Sequence, residues 1–245
     1  MAKVTVRLLH DDGVSEADRR QAKRALETAT SSLPDGYLGV GESLRYEGPS
    51  LNVLDRQRLA DTVDQWLRER FEPGACDDTV FVHLVDASPL EYLTDVPGAK
   101  NFQRPLGAGY SDRVVGIEGE HGYSHGLAVA NTYVSAFVAL APVPYDGSDA
   151  VGVTAVHEAG HALMAGVEGS EHDLGVERYY DTERHRAEVT PMTYWYDEQL
   201  ATWARNPVAV PPSCPVDPED LVRGTEEFAE DARTAIVEHV DYHFG

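Results

Sequence analysis

Hydrophobic positions recur with two periods along this chain, and the switch between them predicts a mixed α/β architecture. Residues 3–9 (KVTVRLL) alternate and are rich in valine, which predicts a strand. Ala17, Ala22, Ala25, Leu26 and Ala29 then return at helical spacing, predicting a helix from Glu16 to about Ser31 with Ser15 as its cap. Pro34-Asp35-Gly36 is a turn, and 37–46 reads as a second strand broken by glycines. Leu59, Val63, Trp66, Leu67 and Phe71 share one side of a helix over 55–71, closed by Glu72-Pro73-Gly74. Residues 79–85 (TVFVHLV) are apolar without alternation, the mark of a strand covered on both faces. His83 within it reads as a hydrogen-bonded core histidine.

The next stretch, 87–113, carries Pro, Gly and Asn with little periodicity, and reads as a long loop able to border a cleft. Residues 114–118 and 127–137 look like two further strands, and His121 and His125 between them (EHGYSHG) read as a solvated hairpin. Asp146-Gly147-Ser148-Asp149 then caps a helix that is apolar on most sides: Val151, Val153, Ala155, Val156, Ala162, Leu163 and Ala165 leave it no solvent face. Beyond it, 176–189 is charged and irregular, 194–205 fits a short helix, and 207–218 is proline-rich and extended. Asp217-Pro218 reads as the cap of a long final helix to about Tyr242, with Leu221, Phe228, Ala232, Ile236 and Val240 on one face.

Composition adds an environment to this outline. The chain of 245 residues carries a net charge of −22, with 42 acidic and 20 basic residues. Only Lys3, Lys23 and Lys100 are lysines. Acid excess with lysine depletion resembles the proteins of extreme halophiles, whose surfaces stay hydrated in molar salt, where charge repulsion is screened over about 3 Å. It also argues against nucleic acid as a partner. The longest apolar run, 136–143, is too short to span a membrane. The first residues lack an apolar signal core and a twin arginine, which predicts a cytoplasmic protein without a removable propeptide. Cys76 and Cys214 form no C-x-x-C pair; a disulfide between them is open but not required.

The chemistry concentrates in the apolar helix. Its centre reads His157-Glu158-Ala159-Gly160-His161, an H-E-x-x-H pattern. Residues four apart share a helix face, so both imidazoles can hold one metal ion. Glu158, one position round, can act as base toward a water at that metal without being a ligand. Two histidines and a glutamate are costly to bury without a partner, and a metal supplies one. Zinc hydrolysis needs a third protein ligand from elsewhere and an open coordination position.

Downstream, Gly166 and Gly169 precede Glu171-His172-Asp173, and Thr190-Pro191-Met192-Thr193-Tyr194 follows. With HEAGH, these resemble the metzincin clan of zinc peptidases, which has an extended H-E-x-x-H-x-x-G-x-x-H/D motif and a methionine turn beneath the metal. The spacing departs from the clan pattern. Met164 and Val167 occupy the positions of its glycine and third ligand, so the match requires five extra residues. Gly166 or Gly169 is then the turn glycine and His172 the third ligand, with Asp173 in reserve. By resemblance, Met192 is the turn methionine. Tyr194 matches the tyrosine that stabilises the oxyanion in astacin-like and serralysin-like members. The rival resemblance is to gluzincins, with Glu183 or Glu188 as the third ligand.

The metzincin resemblance implies an α/β (α+β) fold with a mixed, twisted five-stranded sheet, an active-site helix and a smaller C-terminal subdomain ending in a long helix. Residues 1–166 would form the N-terminal subdomain, and 167–245 would carry the third ligand and the methionine turn. The antiparallel edge strand bordering the cleft would be 114–118. The implied activity is that of a zinc metallopeptidase with one Zn2+ per chain held by His157, His161 and His172, Glu158 as general base, and a peptide or protein as substrate. Endopeptidase action is the first expectation. A zinc-binding interaction domain without catalysis is the alternative of a different class.

Overall fold

The computed structural model describes residues 2–49, 56–72, 74–76, 78–86, 107–109, 125–132, 150–163, 187–192 and 221–244. Strand β1 (Val4–His10) lies near the middle of the main sheet, with β4 (Thr79–Val85) beside it in parallel and β6 (His125–Asn131) parallel beyond that. On the other side of β1, β2 (Leu38–Val40) and β3 (Leu44–Arg45) pair in succession along the same edge, also parallel. They are the two halves of one predicted strand, interrupted at Gly41-Glu42-Ser43. The short β5 (Gly107–Gly109) closes the far end antiparallel to β6. The described sheet is thus mixed and five positions wide, as expected, with a single antiparallel edge.

Helix α1 (Glu16–Ser31) starts where the sequence predicts: the Ser15 hydroxyl accepts the backbone N–H of Asp18 at 3.1 Å. It connects β1 to β2, and α2 (Arg56–Arg70) carries the chain back past β1 to β4. The two crossovers run in opposite directions, so right-handed connections place α1 and α2 on opposite faces of the sheet. Every residue of β4 is accordingly buried. His83 is a core histidine as read. Its Nε2 lies 2.7 Å from Asp11 Oδ1, and its ring packs on Tyr46 at 4.5 Å. Burial, with the nearby charge of Asp11, pushes the Tyr46 hydroxyl up to about 12.

The third helix, α3 (Ala150–Leu163), carries HEAGH and packs on β4, β5, β6 and α1. Small residues set the α1–α3 approach. A Cβ on Gly152 would stand 2.7 Å from the Cβ of Ala25. The last helix, α4 (Glu230–Phe244), packs against α3 and buries Ala232, Ile236 and Val240. Polar ties hold its ends: Lys3 to Asp241 at 2.5 Å, Tyr37 to Asp241 at 3.0 Å, and Arg24 to Glu226 at 3.0 Å just before the helix. Two further strands, β7 (Ala187–Val189) and β8 (Leu221–Gly224), make a separate parallel pair.

Three expectations require correction. The final helix does not begin near Pro218; Leu221–Gly224 is strand β8 and helix starts only at Glu230. Its pairing partner β7 comes from more than thirty residues upstream, in a stretch read as irregular, and local periodicity cannot register such a partner. Similarly, 87–113 is not loop throughout, because Gly107-Ala108-Gly109 is the antiparallel edge strand. Glycine has low strand propensity, and only the backbone of β6 makes a strand of it. Residues 114–118, expected at that edge, lie outside the described residues, as do His121 and most of 132–149. The main sheet has six described strands in five positions because the break splits 37–46 into β2 and β3.

Candidate metal centre

Helix α3 is buried along its whole length except at His161, which is partly exposed. His157 is 1% exposed and Glu158 3%. The amino-terminal half is anchored in the core by Val151, Val153 and Val156, so the histidines are carried on a rigid support.

One bond orients the ring of His157. Its Nδ1 lies 2.6 Å from the carbonyl oxygen of Pro191. A carbonyl only accepts, so Nδ1 donates in this contact, and Nε2 is the nitrogen turned toward His161. That Nε2 lies 3.1 Å from Nε2 of His161, and the two rings meet edge to face, at 84° with centroids 4.7 Å apart. Two nitrogens each about 2.0–2.1 Å from a tetrahedral zinc stand roughly 3.3 Å apart. The pair therefore fits a metal as it stands. Its carbonyl partner is the kind of outer contact that orients a ligating histidine.

The carbonyl comes from the segment after β7. Thr190, Pro191 and Met192 are all buried, and Met192 reaches the helix between the two histidines. A Cβ on Gly160 would stand 2.3 Å from Met192 Sδ and 3.1 Å from Phe228 Cε1. The predicted turn methionine is thus a core methionine and a neighbour of the H-E-x-x-H face at once. Sequence reasoning missed three contributors here: the Pro191 carbonyl, Gly160 and Phe228. The glycine inside a buried helix was the available signal, since an unneeded mid-helix glycine costs about 1 kcal/mol relative to alanine.

Among the described residues, no third His, Cys, Asp or Glu converges on the pair. His172, Asp173, Glu183 and Tyr194 lie outside the described residues. Glu188 is in β7 by its backbone. Cys76 is buried in the core, and Cys214 lies outside the described residues. No described helix is long and apolar enough to cross a membrane.

Against solved structures, the chain is similar to metalloproteinase-II from Bacteroides fragilis, with a TM-score of 0.51 and 17% identity over 96% of this chain. It spans about half of that protein, covering 52% of its length. Archaemetzincin from Methanopyrus kandleri aligns at a TM-score of 0.45 and 15% identity, over 97% of this chain and 96% of that one. No family model matches the chain, and no curated protein does. The described fold, a mixed sheet with an H-E-x-x-H helix packed on it, is similar to that of the part of metalloproteinase-II that this chain spans.

Proposed function

We propose that this chain is a zinc-dependent metallopeptidase that cuts peptide bonds internally. The observation that carries the reading is the placing of His157, its Nδ1 donating to the Pro191 carbonyl and its Nε2 facing that of His161 at 3.1 Å. Two imidazole nitrogens turned toward each other on a buried helix are an arrangement that one metal ion can bridge.

His157, His161 and His172 would hold one zinc ion, with Asp173 in reserve. When bound, zinc acts as a Lewis acid toward the substrate carbonyl and lowers the pKa of water. Glu158 takes the proton of the attacking water on its carboxylate and passes it to the leaving amine. The Tyr194 hydroxyl donates a hydrogen bond to the developing oxyanion. The substrate backbone adds to the outer side of β5, which ends the sheet order among the described residues, so recognition is main chain to main chain. The low-lysine acidic surface keeps the enzyme hydrated in molar salt and disfavours nucleic acid.

The test is metal content per chain by mass spectrometry, on protein purified in molar KCl, with His172→Ala alongside. One zinc in the parent and sharply less in the variant supports the three-histidine site. One zinc in both moves the third ligand to Asp173 or to a glutamate. No metal in either, after zinc has been offered, removes the reading. Hydroxamate binding then separates an open catalytic site from a closed structural one.

A further inference from the structure

Aspartate is followed by glycine at Asp12-Gly13, Asp35-Gly36 and Asp146-Gly147, the last outside the described residues. The pairing matters because a glycine N–H, unshielded by a Cβ, can attack the carboxyl carbon of the aspartate before it. The two described pairs are alike in exposure, since Asp12, Gly13, Asp35 and Gly36 all face solvent. They differ in what holds them. Arg45 grips Asp12 at both oxygens, Nε to Oδ1 at 2.5 Å and Nη2 to Oδ2 at 2.7 Å. Asp35 has no hydrogen-bond or ion-pair partner among the described residues. It sits in the turn from Pro34 to Tyr37, closed by the Tyr37 N–H donating to the Pro34 carbonyl at 3.2 Å. Gly36 has a φ of +84°, with open space where a Cβ would stand. On the flanks, the Lys3 N–H donates to the Gly36 carbonyl and the Val4 N–H to the Tyr37 carbonyl. The peptide between Asp35 and Gly36 takes part in none of these bonds, so it can rotate toward the carboxyl without opening the turn.

We propose that Asp35-Gly36 is a self-modifying site, where the aspartyl linkage converts through a succinimide to isoaspartate, and that Arg45 withholds the same reaction from Asp12-Gly13. The Gly36 nitrogen bonds to Asp35 Cγ, and the carboxyl hydroxyl leaves as water with the proton from that nitrogen. Water then opens the ring. Cleavage of the new Cγ–N bond restores aspartate. Cleavage of the original bond, from the Asp35 carbonyl carbon to nitrogen, routes the main chain through Cβ and Cγ. Water leaves and water returns, so the mass is unchanged, and the chemistry needs no metal, oxidant or reductant. It does need a neutral carboxyl, because the acid can expel its hydroxyl as water and the carboxylate cannot. Arg45 opposes the step twice at Asp12: it pins both oxygens, and its hydrogen bond, outweighing desolvation, holds the carboxyl below the usual carboxylate range. Isoaspartate at 35 lengthens the main chain at the entry to β2. The bonds from Lys3 and Val4, at 2.8 and 3.0 Å, lie there, where β1 and β2 begin to pair. Tyr37 also donates its hydroxyl to Asp241 and carries the Lys3 ammonium 4.6 Å over its ring. Modification of an exposed turn thus reaches the ties that hold the end of α4 to the start of the chain.

The experiment incubates the full chain in molar KCl at mildly acid pH, then maps it with trypsin against an unincubated sample. Cleavage after lysine and arginine isolates Asp12 in 8–19, Asp35 in 25–45 and Asp146 in 114–178. Electron-transfer fragmentation distinguishes isoaspartate from aspartate at equal mass, and amide hydrogen exchange reads Lys3, Val4 and Tyr37. Isoaspartate is expected to accumulate at 35 and not at 12, with loss of exchange protection at those amides. Arg45→Gln is expected to start the reaction at 12. If that variant does not fold, Arg45→Lys replaces it, since lysine keeps the charge without the two-pronged grip. Asp35→Glu, whose longer side chain closes the cyclic imide far less readily, is expected to stay unmodified and keep its amide protection. Asp35 unchanged in the folded chain, while the free peptide 25–45 isomerises, would overturn the inference. So would isomerisation at 12 matching that at 35 in the parent, no reaction at 12 in the Arg45 variants, or isoaspartate at 35 with the amides still protected.

Discussion

Helices α1 and α3 lie side by side, close enough that Gly152 of one must lack a side chain to pass Ala25 of the other. They are nevertheless opposite kinds of helix. On α1 only Ala22, Ala25, Leu26 and Ala29 are buried, and the remaining face carries i,i+4 pairs such as Glu16–Arg20 and Lys23–Glu27, each at 3.8 Å. Its charges are solvated, and such pairs add only about 0.3–0.5 kcal/mol each. On α3 there is no such face, so His157 and Glu158 are in the core. A glutamate is surface chemistry on one helix and sits in the core on the other. Composition is therefore a poor guide to chemistry in this protein, and the burial of a charge is a good one.

The comparison breaks most sharply at the glutamates. Glu158→Gln is expected to keep its zinc and lose hydrolysis by about a hundredfold to ten-thousandfold, whereas Glu27→Gln on α1 leaves both unchanged; peptide cleavage and metal content measure this. If Glu158→Gln cleaves as well as the parent, the general-base role is wrong.

The seam between the helices comes next. Gly152→Val has no room against Ala25 and is expected to cost about 1–3 kcal/mol, the usual effect of overpacking. In a chain of this size that lowers Tm by several degrees, about 2–4 °C for each kcal/mol. Calorimetry in molar KCl reads it. A variant as stable as the parent would mean that the two helices separate easily.

Ser15→Ala removes the cap of α1 and is expected to cost about 1 kcal/mol, measured by denaturant midpoint. Ser15→Thr should restore most of it, since its hydroxyl can both accept the Asp18 N–H and donate to the Asp18 carboxylate.

The smallest effect lies where α1 meets β1. His10 has its Nε2 3.3 Å from Arg19 Nη1, and burial, followed by the Arg19 charge, holds its pKa below the ordinary value. The unfolded chain therefore binds this proton more readily. Stability from this residue is complete above about pH 6.5 and declines as the pH falls through that value toward the folded one. His10→Gln is expected to flatten the pH dependence of Tm over that window. An unchanged slope would assign the effect to other groups.

Much of this molecule was legible because its signals are local. Ser15 capping α1, the unbroken apolar run of β4, the glycines that split 37–46 and the HEAGH spacing each depend on residues within a turn or a strand of one another. Strand β8 and edge strand β5 were misread because neither carries its own periodicity. Four residues before a helix and a Gly-Ala-Gly become strands only through partners brought from far along the chain.

The sequence by itself determined that two imidazoles and a carboxylate share one buried helix, since helical spacing and the lack of a polar face are properties of consecutive residues. The tertiary structure alone decided which nitrogen of His157 faces His161. That depends on the Pro191 carbonyl, thirty-four residues away along the chain and 2.6 Å away in space. A hydrogen bond to a backbone carbonyl leaves no trace in residue identity, because every residue has one to offer.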